Sequence, residues 1–309
     1  MNGMDRSMPL AALRGAGKRY GAVRALDGVG LEVRAGEVLA VLGANGAGKT
    51  TALGLLTGRI GCDEGKAELF GRDPRDPLAR RGIGVMLQDT QLPDTLRVDE
   101  HVRLFSSYYG DPRPLAETLA LAGLEALAKR RYGALSGGQQ RRVQFALAIC
   151  GRPPLLFVDE PTTGLDVEAR RAFWQVLRAL RAGGTAIVLT THYLEEADAL
   201  ADRIVLMAGG RVLADDSPAA LKARASARRV HGFSALAPED LRAWDGVRTV
   251  AIGDDGRLDV SCDDVEALLR RWFAADPQLH GLEVRQQSLE DAFLHLTAAP
   301  AARHDEVSA

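Results

Sequence analysis

The sequence predicts a large α/β domain built on a mainly parallel sheet, followed by a smaller α+β unit. Three observations carry that prediction. Between Ala11 and about Ser217, short continuous apolar runs alternate with longer helical patterns, as strands joined by crossover helices do. The runs are apolar without alternation and too short for helices, which suits strands covered on both faces. At Asp215-Asp216-Ser217-Pro218 the pattern changes to one of hairpins and short helices. A length of 309 residues also exceeds one comfortable hydrophobic core, so a second, smaller unit is expected.

In chain order, the predicted strands of the large domain are Val38–Leu42, Gly84–Leu87, Leu155–Val158, Ala186–Leu189 and Arg203–Met207, each bounded by glycine or charge. The predicted helices are Lys49–Leu56, Val98–Tyr108, Leu115–Ala122, Gly137–Ile149, Val167–Ala182 and Leu194–Leu200. Asp166 stands where it can cap the helix starting at Val167, because its carboxylate accepts from free amides at a helix start. In the smaller unit, Val247–Ile252 and Arg257–Ser261 form a hairpin across Gly253-Asp254-Asp255-Gly256. Val265–Ala275 follows as a helix, Leu282–Gln286 as a strand and Leu289–Leu296 as a final helix, with Ser288 and Asp291 as a capping box. The boundaries are set at 10–216 for the large domain, 217–299 for the accessory domain and 300–309 for a frayed tail. No internal repeat is present, so the chain carries one such domain rather than a tandem pair.

Composition excludes several classes. Lys+Arg 39 against Asp+Glu 41 gives a net charge of -2, which supplies no general field for nucleic acid or anionic lipid. The hydrophobic content of 46% is that of an ordinary globular protein. Cys62, Cys150 and Cys262 are far apart, odd in number and outside any metal-ligand spacing, so they read as reduced, buried thiols of a cytosolic protein. The Met1–Leu10 stretch lacks the apolar core of a signal peptide, and no run approaches the roughly 18 apolar residues of a membrane span.

Three motifs carry chemistry. Gly43-Ala44-Asn45-Gly46-Ala47-Gly48-Lys49-Thr50 fits the phosphate-loop pattern G-x-x-x-x-G-K-[ST] and lies between a predicted strand and a predicted helix. Small residues let backbone amides approach phosphates, and the helix start adds its positive dipole end. Lys49 would reach the β- and γ-phosphates, the Thr50 hydroxyl would ligate Mg²⁺, and Thr51 completes the nucleotide-binding stretch. Leu155–Val158 ends in two acids: Asp159 is placed to hold Mg²⁺, and Glu160, taken to point the other way by strand alternation, to polarise the attacking water. Leu135-Ser136-Gly137-Gly138-Gln139-Gln140 precedes a helix and offers a second set of phosphate donors. Two phosphate-gripping helix starts are odd for a monomer.

These motifs, in this order, resemble the ABC ATPase family over roughly the first two thirds of the chain. By that resemblance Tyr20 stacks on adenine, Gln88 senses Mg²⁺ and the γ-phosphate, and His192 is the γ-phosphate switch histidine. Pro161–Asp166 is similar to the segment that crosses the family's dimer. The expected fold is then a P-loop NTPase of ABC type, with a mainly parallel core sheet, an antiparallel N-terminal β-subdomain and a helical subdomain carrying the signature motif.

The resemblance implies a head-to-tail homodimer in which each ATP lies between Lys49 of one protomer and Ser136, Gly137, Gly138 and Gln139 of the other. It places Mg²⁺ on Thr50, Gln88 and Asp159. The segment from Asp89 to Gly110 is similar to the one that docks on the cytoplasmic helices of a membrane permease, and it also reads as an amphipathic helix packed on its own domain. The C-terminal unit, ending Ser288-Leu289-Glu290-Asp291-Ala292-Phe293, looks like the tail of drug-resistance and ABC-2-type exporter ATPases; stabilising the dimer is its plainer alternative role. The implied protein powers export of a drug, lipid or other hydrophobic compound through a separately encoded permease, from the cytoplasmic face of the membrane. The alternative is a soluble ABC ATPase acting on ribosomes or DNA, which usually carries two nucleotide domains or a coiled-coil or zinc insertion; no nucleic-acid partner is expected.

Overall fold

The computed structural model describes residues 8–88, 90–224, 228–253, 255–285, 289–290 and 292–293. The chain divides into two compact units, Met1–Pro218 and Ala219–Ala309.

Unit 1 opens with β1 (Ala11–Tyr20) and β2 (Val23–Val33), joined by a two-residue turn at Gly21-Ala22. Gly21 takes φ 58°, the left-handed value a tight hairpin turn needs at its first central residue. Next come β3 (Val38–Leu42), α1 (Lys49–Leu56), β4 (Glu64–Leu69), α2 (Pro77–Arg80) and β5 (Ile83–Met86). The helical segment holds α3 (Val98–Ser106), α4 (Leu115–Leu121) and α5 (Gly137–Ile149). The unit closes with β6 (Leu155–Asp159), α6 (Val167–Ala182), β7 (Ala186–Thr191), α7 (Leu194–Leu200), β8 (Arg203–Ala208) and β9 (Arg211–Asp216).

The central sheet has the order β5-β6-β7-β3-β8-β9, parallel except for the antiparallel edge strand β9. A separate antiparallel sheet, β2-β1-β4, forms the N-terminal β-subdomain. The apolar runs of the central strands are explained by two cores, one on each face. Leu39, Val41, Leu155, Phe157, Val188 and Val205 pack with α1 and the N-terminal sheet. Val38, Leu156, Val158, Ile187 and Leu189 pack with residues of α3 to α6. Because β3, β5, β6 and β7 run parallel, their C-terminal ends share one sheet edge, and the predicted site residues follow those ends.

The bounds of α1, α5, α6 and α7 are those read from the sequence. Six elements differ by one or two residues, among them α4, which ends at Leu121 rather than Ala122, and β6, β7 and β8, which run on to Asp159, Thr191 and Ala208. α3 stops at Ser106 rather than Tyr108, because the amides of Tyr108 and Tyr109 turn back to the carbonyls of Phe105 and Ser106 in tighter i→i−3 bonds. β5 runs from Ile83 to Met86 rather than from Gly84 to Leu87, and the Leu87 carbonyl accepts from the Arg141 guanidinium instead of a strand partner.

Starting from α8 (Pro218–Arg224), the chain continues through β10 (Arg228–Phe233), α9 (Pro238–Arg242), β11 (Val247–Ile252), β12 (Leu258–Cys262), α10 (Val265–Ala275) and β13 (His280–Arg285). From β10 onward this is a β-α-β-β-α-β unit with the order β11-β12-β10-β13, a ferredoxin-like arrangement around Val230, Val260 and Trp272. The predicted hairpin is the β11–β12 pair, with β12 one residue later at each end than the expected Arg257–Ser261, and α10 has the predicted bounds. β10 and α9 escaped the sequence reading, since Arg228-Arg229-Val230-His231-Gly232 offers only one strongly apolar residue. β13 begins two residues early because His280 pairs with Phe233. Asp89 of the predicted docking segment, Asp254 of the predicted turn, Ser288 and Asp291 of the predicted capping box, Gln286, most of the Leu289–Leu296 helix after Phe293 and the 300–309 tail lie outside the described residues. Leu289, Glu290, Ala292 and Phe293 are helical.

Candidate nucleotide site

The Gly43–Thr50 loop leaves the buried end of β3 and enters α1. Its glycines answer to space as well as to torsion. A Cβ on Gly43 would lie 2.4 Å from the Met207 carbonyl. Gly48 combines φ 102° with a Cβ position 2.7 Å from both the Ala25 carbonyl and Leu26. Both positions therefore require glycine. The carbonyl of Ala47 accepts from Gly210 N at 3.2 Å, tying the loop to the β8–β9 turn. Lys49 is only 5% exposed; its Nζ donates to Gly43 O at 2.8 Å and Ala44 O at 3.2 Å and lies 3.7 Å from Glu160 Oε1. Asn45 and Thr50 are exposed, and Thr51 is half-buried beside them.

Asp159 ends β6 and is 1% exposed. Burial raises its carboxyl above the ordinary value, as does neighbouring Glu160, while the hydroxyls of Thr190 and Thr50 and the charge of Lys49 act the other way. Thr190 donates a short hydrogen bond to Asp159 Oδ1. Glu160 does not follow strand alternation as the sequence reading had it. The strand has ended, and Glu160 sits at φ 45°, a left-handed conformation that costs a side-chain-bearing residue about 1–2 kcal/mol. Its amide donates to both the carbonyl and the hydroxyl of Thr190, each at 3.1 Å. This turn sends the carboxylate between Lys49 and His192, whose Nδ1 lies 3.3 Å from Glu160 Oε1. Lys49, Glu160 and His192 thus form a continuous row at the sheet edge, where a phosphate and a water can be held together. Thr190 was not singled out from the sequence; an apolar run ending in two threonines before His192 was the available signal.

Gln88 is exposed just beyond β5, and Tyr20 is exposed at the end of the β1–β2 hairpin with Lys18 Nζ 5.9 Å from its ring centre. Ser136 caps α5: its Oγ accepts from Gln139 N at 3.4 Å, while the Gln139 side chain accepts from Ser136 N at 3.1 Å. A Cβ on Gly137 would meet nothing within 4 Å, and one on Gly138 only Leu165, so this helix start presents bare backbone. Among the described residues no hydrogen bond or ion pair joins Ser136–Gln139 to Lys49, Glu160 or His192. Asp166 caps α6 as expected, accepting from Ala169 N at 2.7 Å.

A buried acid for which the sequence offers no motif follows His192 in α7. Glu196 is fully buried in α7 and accepts from the Trp174 indole at 3.1 Å. Burial pushes its carboxyl above the ordinary 4.5, and the Thr191 and Trp174 side chains oppose this only in part. An acid whose pKa is raised by folding is fully accommodated below its unfolded value, and stability falls as pH rises through the window up to the folded value. Glu196→Gln should therefore gain melting temperature over wild type at about pH 8 and lose that advantage at about pH 4.5. Thermal unfolding at the two pH values checks this; a pH-independent difference would contradict it.

Comparison with known proteins fits this geometry. The profile of a family described as "ABC transporter" matches residues 26–163. The chain is 36% identical over 314 residues to the doxorubicin resistance ATP-binding protein DrrA of Mycobacterium tuberculosis, covering 93% of each chain. It is 38% identical over 302 residues to the Nod factor export ATP-binding protein I of Rhizobium sp. strain N33, covering 92% of this chain and 96% of that one. Among solved structures it is similar to the dimeric bacterial ABC transporter cassette MJ0796, with TM-score 0.61 and 28% identity over 67% of this chain and 98% of that one.

Proposed function

Because the chain belongs to the ABC transporter family, as an ATP-binding subunit that hydrolyses ATP, we propose that it drives export of a drug-like, lipid or other hydrophobic compound through a separate membrane permease. The observation that carries the reading is the row of Lys49, Glu160 and His192 at the edge where the phosphate loop meets the ends of β6 and β7. The amides of the Gly43–Thr50 loop and the Lys49 ammonium bind the β- and γ-phosphates. Glu160 orients a water on the γ-phosphorus and draws on its proton; the water oxygen bonds to phosphorus as the bridging bond to ADP breaks, leaving ADP and phosphate. His192 holds Glu160 on one side and a γ-phosphate oxygen on the other, and Tyr20 takes the adenine.

The hydroxyl of Thr50, the amide oxygen of Gln88 and the carboxylate of Asp159 form an all-oxygen set of the kind Mg²⁺ accepts while keeping several waters. Asp159 fits that role: its carboxylate is buried against the Thr50 hydroxyl, at a place where burial opposes its charge until a cation compensates it. Bound there, the cation would neutralise charge developing on the phosphate oxygens.

Ser136–Gln139 form a second, separate phosphate-gripping helix start. This supports a homodimer in which each protomer offers that start to its partner's ATP, so that ATP closes the dimer and hydrolysis releases it. Export is supported by similarity, over more than nine tenths of the residues of each chain, to proteins named for doxorubicin resistance and Nod factor export. Among the described residues no helix is long and apolar enough to cross a membrane, so the proposed membrane association, on the cytoplasmic face, runs through the permease. Residues 10–216 form the ATP-binding domain in this reading and 217–299 the accessory domain.

The experiment is affinity purification of the tagged full chain from detergent-solubilised membranes. An integral membrane protein should co-purify and raise the ATPase activity, and a chelator should abolish the activity. Recovery only with ribosomes, and no membrane partner, would overturn the export reading.

A further inference from the structure

We propose that Arg141 is a positioning residue for hydrolysis, a cross-brace that fixes Gln88 and Glu160 relative to each other and to the helix that begins at Ser136. The proposal rests on the reading that Gln88 and Glu160 act at the γ-phosphate. Arg141 lies in the second turn of α5, five residues past Ser136. Its guanidinium spans two neighbouring strand ends. Nη1 donates to Leu87 O and Gln88 O, both at 3.0 Å, just past β5. Nη2 donates to Glu160 O at 2.6 Å and more weakly to Asp159 O at 3.4 Å, at the end of β6. One side chain therefore holds four carbonyls in the two cis segments that carry the sensing glutamine and the hydrolytic glutamate.

The choice of arginine follows from geometry. A planar guanidinium has donors on two separate nitrogens at fixed angles and reaches both strand ends at once; a lysine ammonium is a single point with no fork. The need is sharpest at Glu160, whose left-handed backbone is disfavoured for a residue with a side chain. Thr190 holds the amide before that residue and Arg141 holds the carbonyl after it, so the strained torsions are clamped on both sides. Without Arg141 the carboxylate can swing away from the place between Lys49 and His192. The same brace carries any movement of α5, and hence of Ser136 against a partner's ATP, to the residues that hydrolyse the ATP bound in cis.

The test compares the purified full chain with Arg141→Lys, Arg141→Ala and Glu160→Gln, measuring kcat and KM for ATP, equilibrium binding of a fluorescent ATP analogue and thermal melting. Misplacing a catalytic group by about 1 Å costs on the order of 10²-fold in rate. Both Arg141 variants should therefore lose kcat by about that factor, while nucleotide affinity changes by less than about threefold. Arg141→Lys should melt close to wild type yet recover little of the rate. If Glu160→Gln is inactive but Arg141→Lys keeps more than about a third of the wild-type kcat, the brace is refuted while the reading of Glu160 stands. If Glu160→Gln turns over normally, that reading fails first and removes the basis of the brace. Cooperative melting lost in both Arg141 variants, or affinity and kcat falling in parallel, would make Arg141 a folding residue and also overturn the proposal.

Discussion

Glu160→Gln should lower ATP turnover by about 10²- to 10⁴-fold, the contribution usual for a positioned general base, while ATP binding persists. Glutamine keeps the shape of the side chain but cannot draw a proton from water. Its neutrality also removes the carboxylate that lies 3.7 Å from the Lys49 ammonium, so one charge competing with phosphate for that ammonium is gone. Binding should then be as tight as in wild type or tighter, and the ATP-bound dimer should accumulate because the step that releases it is blocked. Phosphate release measures the first effect and size-exclusion chromatography with ATP the second. A variant that hydrolyses normally, or that stays monomeric with ATP, would contradict the assignment.

The second large effect tests the division of one site between two protomers. Lys49→Ala removes the phosphate-binding ammonium, and Ser136→Asp retains a helix cap while placing a negative charge against phosphate. Alone, each variant should lose nearly all activity. In a heterodimer of the two, one site carries both defects and the other carries neither. Random mixing yields about half heterodimers, each with one intact site, so activity should return to about a quarter of wild type. A site completed within one protomer predicts no recovery at all. Retention of the Ser136 cap role is checked by unchanged thermal melting of Ser136→Asp, since the Ser136 Oγ to Gln139 N bond is what that carboxylate replaces.

Much of this molecule is legible in its sequence because its strongest signals are local. A strand buried on both faces has to be apolar throughout, and Leu155-Leu156-Phe157-Val158 supplies both cores of the central sheet. Helix starts announce themselves by caps, as Ser136 and Asp166 do, so α5 and α6 could be bounded to the residue. The phosphate loop is a contiguous backbone device, and contiguity is what a sequence displays. β10 was hidden because Arg229 and His231 stand on one side of Val230 in a sheet with a single apolar stripe, and the pairing of His280 with Phe233 is a long-range choice.

By itself, the sequence determined the α/β class, the glycine-rich loop between β3 and α1, the paired acids at the end of β6 and the capped, glycine-rich helix start at Ser136, since each depends on neighbours in the chain. Only the tertiary structure decided how these meet. It showed that a left-handed turn, rather than strand alternation, aims Glu160 between Lys49 and His192. It placed Thr190 on Asp159 and brought Arg141 to four carbonyls, in segments 18 to 54 residues away. The physical reason is that local patterns fix backbone state and burial, whereas hydrogen bonds between distant segments exist only once parallel strand ends have been gathered at one edge of the sheet.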